Sequence, residues 1–285
     1  MSLESALAAL LGQPVGLAEA VGGGDIAQPR RAVMADGTNV FVKSAKGMPR
    51  GWARAEAMGL ERLASAACGV RVPRVLGHSD VPPVLALEWV GFGRATPAYW
   101  RALGAGLAEM HRTSAVEYGF DENGFIGRTL QSNGWEESWA VFFRDHRIVP
   151  LHRYCQDAGL LSTNLSDNLH SICTRLEELL PDPSEGPSLL HGDLWSGNVE
   201  PDEQGQPVLF DPAVYFGSRE ADMAMTTLFG GFDPVFYQAY EEAWPLPGDW
   251  EERQGLLNLY HLLNHVLLFG GAYLARCEVV ARRYA

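Results

Sequence analysis

Cysteine is scarce in this chain: four residues in 285, at Cys68, Cys155, Cys173 and Cys277, with no Cys-x-x-Cys pair. That scatter excludes a zinc knuckle and a dithiol redox motif. Three of the four fall in apolar helical patterns, where a free thiol behaves as a small hydrophobe. Long apolar runs are also missing, so no segment reads as a membrane span and no membrane partner is expected. Met1 to Gln13 lacks the basic start and hydrophobic stretch of a secretory signal and reads instead as a short amphipathic helix. With no targeting signal, the expected location is a reducing cytoplasm. Positive charge is short too: 22 Lys and Arg against 35 Asp and Glu give a formal net charge of −13. A chain so acidic is a poor non-specific partner for nucleic acid, whose backbone is itself polyanionic. Any site for a nucleotide triphosphate must then be made attractive locally, by amides, a lysine and metal ions.

What is present suits a globular chain with a sizeable core, since 47% of residues are apolar and 20% charged. Residues 15–43 read as paired strands: Val15 to Val21, a run ending near Met34, and Asn39 to Lys43 after an Asp36-Gly37 turn. Gly22-Gly23-Gly24 lies between the first two and is expected to be the tip of a phosphate-covering hairpin, although it is not a G-x-G-x-x-G sequence. Residues 51–67 read as a helix. Val84 to Val90 reads as a buried strand, and Gly91-Phe92-Gly93 as a connector. Beyond it the texture turns helical. Thr96-Pro97 has the form of a cap with proline at the first helical position, and Ser166 is expected to cap a further helix that stops before Pro181. Residues 124–139 read mainly as loop, and a helix is expected from Asp249 onward. The fold class expected is α+β: a small β-rich N-lobe with one main helix over residues 1–91, and a larger, mainly helical C-lobe over 92–285.

The chemistry concentrates in His191-Gly192-Asp193-Leu194-Trp195-Ser196-Gly197-Asn198, followed by the apolar run Val208 to Phe210 and Asp211-Pro212. Phosphoryl transfer needs a carboxylate that orients the attacking hydroxyl and takes its proton, and two oxygen ligands that hold Mg²⁺ against the phosphates. Asp193, with Asn198 five residues on and Asp211 at the end of a strand, supplies all three, at the Asp-x-x-x-x-Asn spacing of a protein-kinase catalytic loop. Mg²⁺ prefers such oxygen ligands. Upstream, Lys43 ends a strand and Glu56 follows thirteen residues later on a helix. That is the order required of a phosphate-binding lysine and the glutamate that holds it. His261 and His265 have helical metal-ligand spacing but no third ligand and no intervening glutamate, so they are expected to be a core or surface pair.

These residues resemble the fructosamine kinase (ketosamine-3-kinase) family, similar in fold to the aminoglycoside and choline kinases. HGDLWSGN with Phe210-Asp211-Pro212-Ala213 carries the likeness, and Trp195-Ser196 points to the narrower family. Phe41-Val42-Lys43, residues 139–147 (WAVFFRDHR), residues 219–225 (READMAM), Phe229 to Phe232, Leu263-Asn264 and Phe269-Gly270-Gly271 extend it over about residues 15–275. Residues 22–30 depart from it, being more polar and carrying Pro29. The resemblance implies ATP- and Mg²⁺-dependent transfer to the 3-hydroxyl of a ketosamine, a deglycation activity. The partner it implies is a small-molecule ketosamine, with glycated protein lysines as a further candidate acceptor; oligomeric state has no signature in the chain. Carried over position by position, it makes Asp193 the base, Asn198 and Asp211 metal ligands, and Lys43 with Glu56 the nucleotide pair. Glu88 to Val90 becomes the adenine-contacting connector through its backbone, and Asp222 a brace for the catalytic loop. His191 and Trp195 are candidate substrate contacts. The competing expectations are an aminoglycoside- or choline-type kinase of the same fold and a nucleotide-binding pseudokinase.

Overall fold

The computed structural model describes residues 2–21, 28–44, 47–66 and 69–285; Gly22, Gly23 and Gly24, and with them the expected phosphate loop, lie outside the described residues. The chain opens with helix α1 (Leu3–Leu11). The Ser2 hydroxyl caps it by accepting from Ser5 N–H, and Gly12 closes it in a left-handed conformation. Five strands follow: β1 (Val15–Ala20), β2 (Gln28–Met34), β3 (Asn39–Ser44), β4 (Val75–Asp80) and β5 (Pro83–Glu88). They form one antiparallel sheet in the order β1-β2-β3-β5-β4. Strand alternation sorts β3: Val40 and Val42 are fully buried with Leu7, Ala32, Val84 and Ala86, so Phe41 and Lys43 point to the opposite face. Against that face packs α2 (Trp52–Ala64), burying Trp52, Ala53, Ala57 and Leu60 with Leu85 and Leu87.

The second lobe is mainly helical. It begins at α3 (Pro97–His111), capped as expected: the Thr96 hydroxyl accepts from Tyr99 N–H. Then come the short pair β6 (Gly124–Ile126) and β7 (Thr129–Gln131) and α4 (Trp139–Phe143). A π-helical turn at Arg144–Ile148 leads into α5 (Val149–Asp157), followed by α6 (Thr163–Thr174) and α7 (Leu176–Leu179). Two small antiparallel ladders hold the catalytic segment. β8 (Ser188–Leu190) pairs with β11 (Tyr215–Gly217), and β9 (Val199–Pro201) with β10 (Pro207–Leu209). Helices α8 (Glu220–Leu228), α9 (Pro234–Ala243), α10 (Trp250–Phe269) and α11 (Leu274–Tyr284) complete the chain.

Two local expectations change. Ser162, not Ser166, caps α6, because its hydroxyl accepts from Leu165 N–H; Ser166 lies one turn inside and bonds His152. The stretch expected as loop contains the β6–β7 hairpin, too short for periodicity to reveal. Glu136 lies outside any helix, its backbone paired with Tyr118 and its carboxylate meeting His146. The lobes are stitched together along one edge. Arg71 donates its N–H to Pro207 O and accepts from Leu209 N–H, and its guanidinium reaches Asp202 and Glu88. Nearby, Glu203 N–H meets Gly91 O, and Gly93 N–H meets Pro201 O.

Candidate active site

The loop at 191–198 runs between β8 and β9, and its shape follows from close backbone approaches. Ala213 N–H donates to His191 O at 2.9 Å. The Ala213 carbonyl lies so near that a Cβ on Gly192 would sit 2.0 Å from it, and Gly192 has φ +82°. Only glycine fits there. Gly197 is required for a different reason: the Trp195 indole lies across it, 2.3 Å from where a Cβ would be. Asp222, at the start of α8, braces the loop from below. Its Oδ2 accepts from His191 N–H at 2.7 Å and its Oδ1 from Gly192 N–H at 2.9 Å, with His111 Nε2 3.2 Å from Oδ2. Burial works to raise the Asp222 carboxyl, but those hydrogen bonds and the two histidines win and hold it below its ordinary value.

That depressed pKa makes a stability prediction. A carboxylate favoured in the folded state contributes stability above its unfolded pKa and loses it as pH falls through the folded one. Asp222→Asn offers one acceptor oxygen for two buried N–H groups, so about 1–3 kcal/mol of stability at neutral pH is expected to go. Urea unfolding at pH 7 and at about pH 2–3, below the unfolded carboxylate's pKa, checks this: the gap between variant and wild type should narrow in acid.

Asp193 sits at the loop's centre, partly exposed to the cleft. The Asn198 amide donates to Asp193 O at 2.8 Å and to Oδ2 at 3.3 Å. Burial, then the nearby Asp211 carboxylate, push the Asp193 carboxyl up to about 7 against the pull of Asn198. A carboxyl poised there can give or take a proton under neutral conditions. With its nitrogen committed to Asp193, Asn198 has its carbonyl oxygen left for the cavity. Asp211 is the one described non-glycine residue with positive φ, at 52°. Aspartate tolerates that conformation better than most side chains, and the turn aims its carboxylate back across the cleft. Across the cleft, Lys43 Nζ lies 2.5 Å from both Glu56 Oε1 and Asp211 Oδ1. Burial opposes the lysine's charge, but the carboxylates of Asp211 and Glu56 more than offset it, and its pKa is raised. Burial lifts Glu56 in turn against the pull of Lys43. One ammonium therefore serves two carboxylates, so the cluster carries surplus negative charge.

A cavity of about 790 Å³ is lined by Lys43, Glu56, Asp193, Trp195, Asn198 and Asp211 together. Such a volume suits a nucleotide-sized ligand beside a small acceptor. Val90 and the flanking connector line its other end. Glu88 lines it too, but its N–H is taken by Arg74 O and its carboxylate by Arg71, so Glu88 offers no free amide to a ligand. His191 is corrected outright as a substrate contact. It is fully buried, with Nε2 donating to Phe210 O at 2.7 Å and Nδ1 accepting from Asp193 N–H at 3.2 Å. Burial holds its pKa low, which fits that neutral tautomer.

The donors suit a hard divalent ion. Asn198 and Asp211 present oxygen to one space, and among the described residues no cluster of three His, Cys, Asp or Glu forms a closed metal cage. Two protein oxygens with the remainder left to water and phosphate is how Mg²⁺ is usually held. A wall of rings at the cavity mouth was visible in the sequence only as matched motifs. Phe229, His265, Phe269 and Tyr273 line it, with Trp195 edge-on to Phe229 at 6.0 Å. His265, Phe269 and Tyr273 recur at four-residue spacing, but Phe229 and Trp195 come from distant segments, and no local pattern joins the two groups. The model of the family described as fructosamine kinase matches residues 2–284. A probable ketoamine kinase of Synechocystis sp. is 39% identical over 279 residues, covering 95% of this chain and 92% of that protein. A chloroplastic protein-ribulosamine 3-kinase of Arabidopsis thaliana is 33% identical over 243 residues, 84% of this chain and 73% of its own. A solved structure from Thermobifida fusca, described as a putative fructosamine-3-kinase, superposes with a TM-score of 0.89 at 35% identity, covering 99% and 97% of the two chains.

Proposed function

The chain belongs to the fructosamine kinase family, and from that premise we propose that it phosphorylates the 3-hydroxyl of ketosamines with ATP, with Asp193 as base. The observation that carries the reading is convergence: Lys43 on β3, the loop bearing Asp193 and Asn198, and Asp211 come from three stretches of chain and line one cavity. In the step proposed, Asp193 takes the proton from the acceptor hydroxyl as that oxygen bonds the terminal phosphorus, and the bond to the leaving ADP oxygen breaks. Lys43, steadied by Glu56, holds the nucleotide's phosphates. The backbone around Val90 meets the adenine. Asn198 and Asp211 would hold Mg²⁺, which when bound neutralises phosphate charge. Trp195 packs against the carbon skeleton of the acceptor. The acceptors that fit are small ketosamines such as ribuloselysine and fructoselysine, and protein-bound adducts are reached through the open, ring-lined mouth. No helix among the described residues is long and apolar enough to cross a membrane; the setting proposed is the cytoplasm.

The expected result is turnover of ribuloselysine or fructoselysine at least tenfold above that of an aminoglycoside or choline, with NMR locating the new phosphate on O3. Phosphate on another oxygen, or preference for the aminoglycoside, rejects the reading. Absence of turnover with every acceptor would leave a nucleotide-binding protein without transfer activity.

A further inference from the structure

Helix α10 passes beneath the catalytic loop, and one of its side chains has a buried polar atom with no assigned work. His261 is 4% exposed. Its Nδ1 has no hydrogen-bond partner and lies 3.8 Å from Asp193 Oδ1. The two oxygens of Asp193 are treated unequally. Oδ2 and the main-chain carbonyl both receive the Asn198 amide, whereas Oδ1 faces His261. A base held at only one oxygen can still rotate about its last side-chain bond, and that freedom blurs the geometry on which transfer depends.

The helix itself is fixed. Tyr260, the preceding residue, donates its hydroxyl to Gln131 Oε1 at 2.7 Å, and Gln131 Nε2 donates to Ala213 O at 2.9 Å. Ala213 is the residue that closes on His191 and Gly192. Helix and loop thus share one frame, and the 3.8 Å gap is set by the Asp193 rotamer rather than by drift of the helix. A rotation that moves Oδ1 by about 1 Å brings it to hydrogen-bond distance. Burial, with His265 and Arg147 adding to it, drops the His261 pKa to about 3. The imidazole is therefore neutral and has one N–H. A lone pair on Nδ1 facing a carboxylate oxygen would be repelled, so the proton belongs on Nδ1.

We propose that His261 is a positioning residue for Asp193, donating its Nδ1–H to Asp193 Oδ1 when both substrates are bound. The proposal rests on the reading of Asp193 as the base, and it assigns His261 no contact with substrate.

The test uses the full chain with ATP, Mg²⁺ and fructoselysine. His261→Leu should lower kcat roughly tenfold or more, with KM for both substrates changed less than about twofold. His261→Asn should restore most of the turnover, because its amide nitrogen occupies the place of Nδ1. His261→Gln, which puts the amide one bond further out, should not. In wild type with ¹⁵N-labelled histidine, the resonance that disappears in His261→Asn should report a protonated Nδ1, a measurement that survives if His261→Leu fails to fold. The idea is overturned if His261→Leu keeps its kcat, if the Leu and Asn variants fall together, if acceptor KM rises in step with the loss, or if Nδ1 is unprotonated. Asp193→Asn separates the two claims. If it turns over normally, the base assignment fails; if it is dead while His261→Leu is fully active, only the present inference falls.

Discussion

Asp193→Ala should abolish phosphoryl transfer and leave nucleotide binding nearly intact. General-base assistance is typically worth 10²–10⁴-fold, and Asp193 also fixes the Asn198 amide, so a kcat loss of at least about 10³-fold is expected. ATP affinity, read by calorimetry in the presence of Mg²⁺, should change less than about threefold, because the proposed phosphate contact is Lys43, across the cleft. The substitution also removes a carboxyl whose charged form is disfavoured by partial burial and by Asp211, so the melting temperature should hold or rise. Normal turnover would remove Asp193 from the chemistry, whereas weakened ATP binding with intact kcat would move it to the nucleotide side.

Asp211→Ala should act on the opposite partner. In this structure Asp211 shares the Lys43 ammonium with Glu56. If Asn198 and Asp211 hold Mg²⁺ as proposed, losing that carboxylate leaves one protein oxygen, too little to hold the ion in place. The dependence of ATP affinity on Mg²⁺ should therefore vanish, and kcat should fall roughly 10²–10³-fold, consistent with several kcal/mol of charge stabilisation lost. Metal-free ATP should bind no worse than to wild type, since the phosphates then compete with one carboxylate for Lys43 rather than two. Titrations with and without EDTA distinguish these cases, and unchanged Mg²⁺ dependence would reject Asp211 as a ligand.

The parts of this molecule that could be read in advance are those with local signatures. The strands around Asp36-Gly37, the Thr96-Pro97 helix start and the loop from His191 to Asn198 each carry their information within a few residues. Lys43 and Glu56 were legible because chemistry dictates their order, and the 2.5 Å contact joins them. What stayed hidden depends on the third dimension. His191 reads as a site residue because it adjoins Asp193, yet its ring turns inward to Phe210 O. His261 reads as part of a core or surface pair from its spacing, and it is buried, but burial places it against Asp193. The ring wall from Phe229 to Tyr273 spans two helices and their connections. Ser166 failed as a cap because Ser162, one turn earlier, satisfies the same rule.

The stitching around Arg71 has a mechanical corollary. On that edge, main-chain hydrogen bonds at Arg71, Gly91 and Gly93 tie sheet to helices, so the lobes cannot simply slide apart there. The opposite lip is spanned by a solvent-facing pair, Arg54 with Glu122, which screening by salt weakens readily. The N-terminal sheet is thus pinned to the helices by main-chain bonds along that edge. Elsewhere it meets them through side chains such as Lys43 with Asp211, Arg54 with Glu122 and Phe125 against the α2 cluster, so added salt should loosen the surface pair first and leave the pinned edge intact.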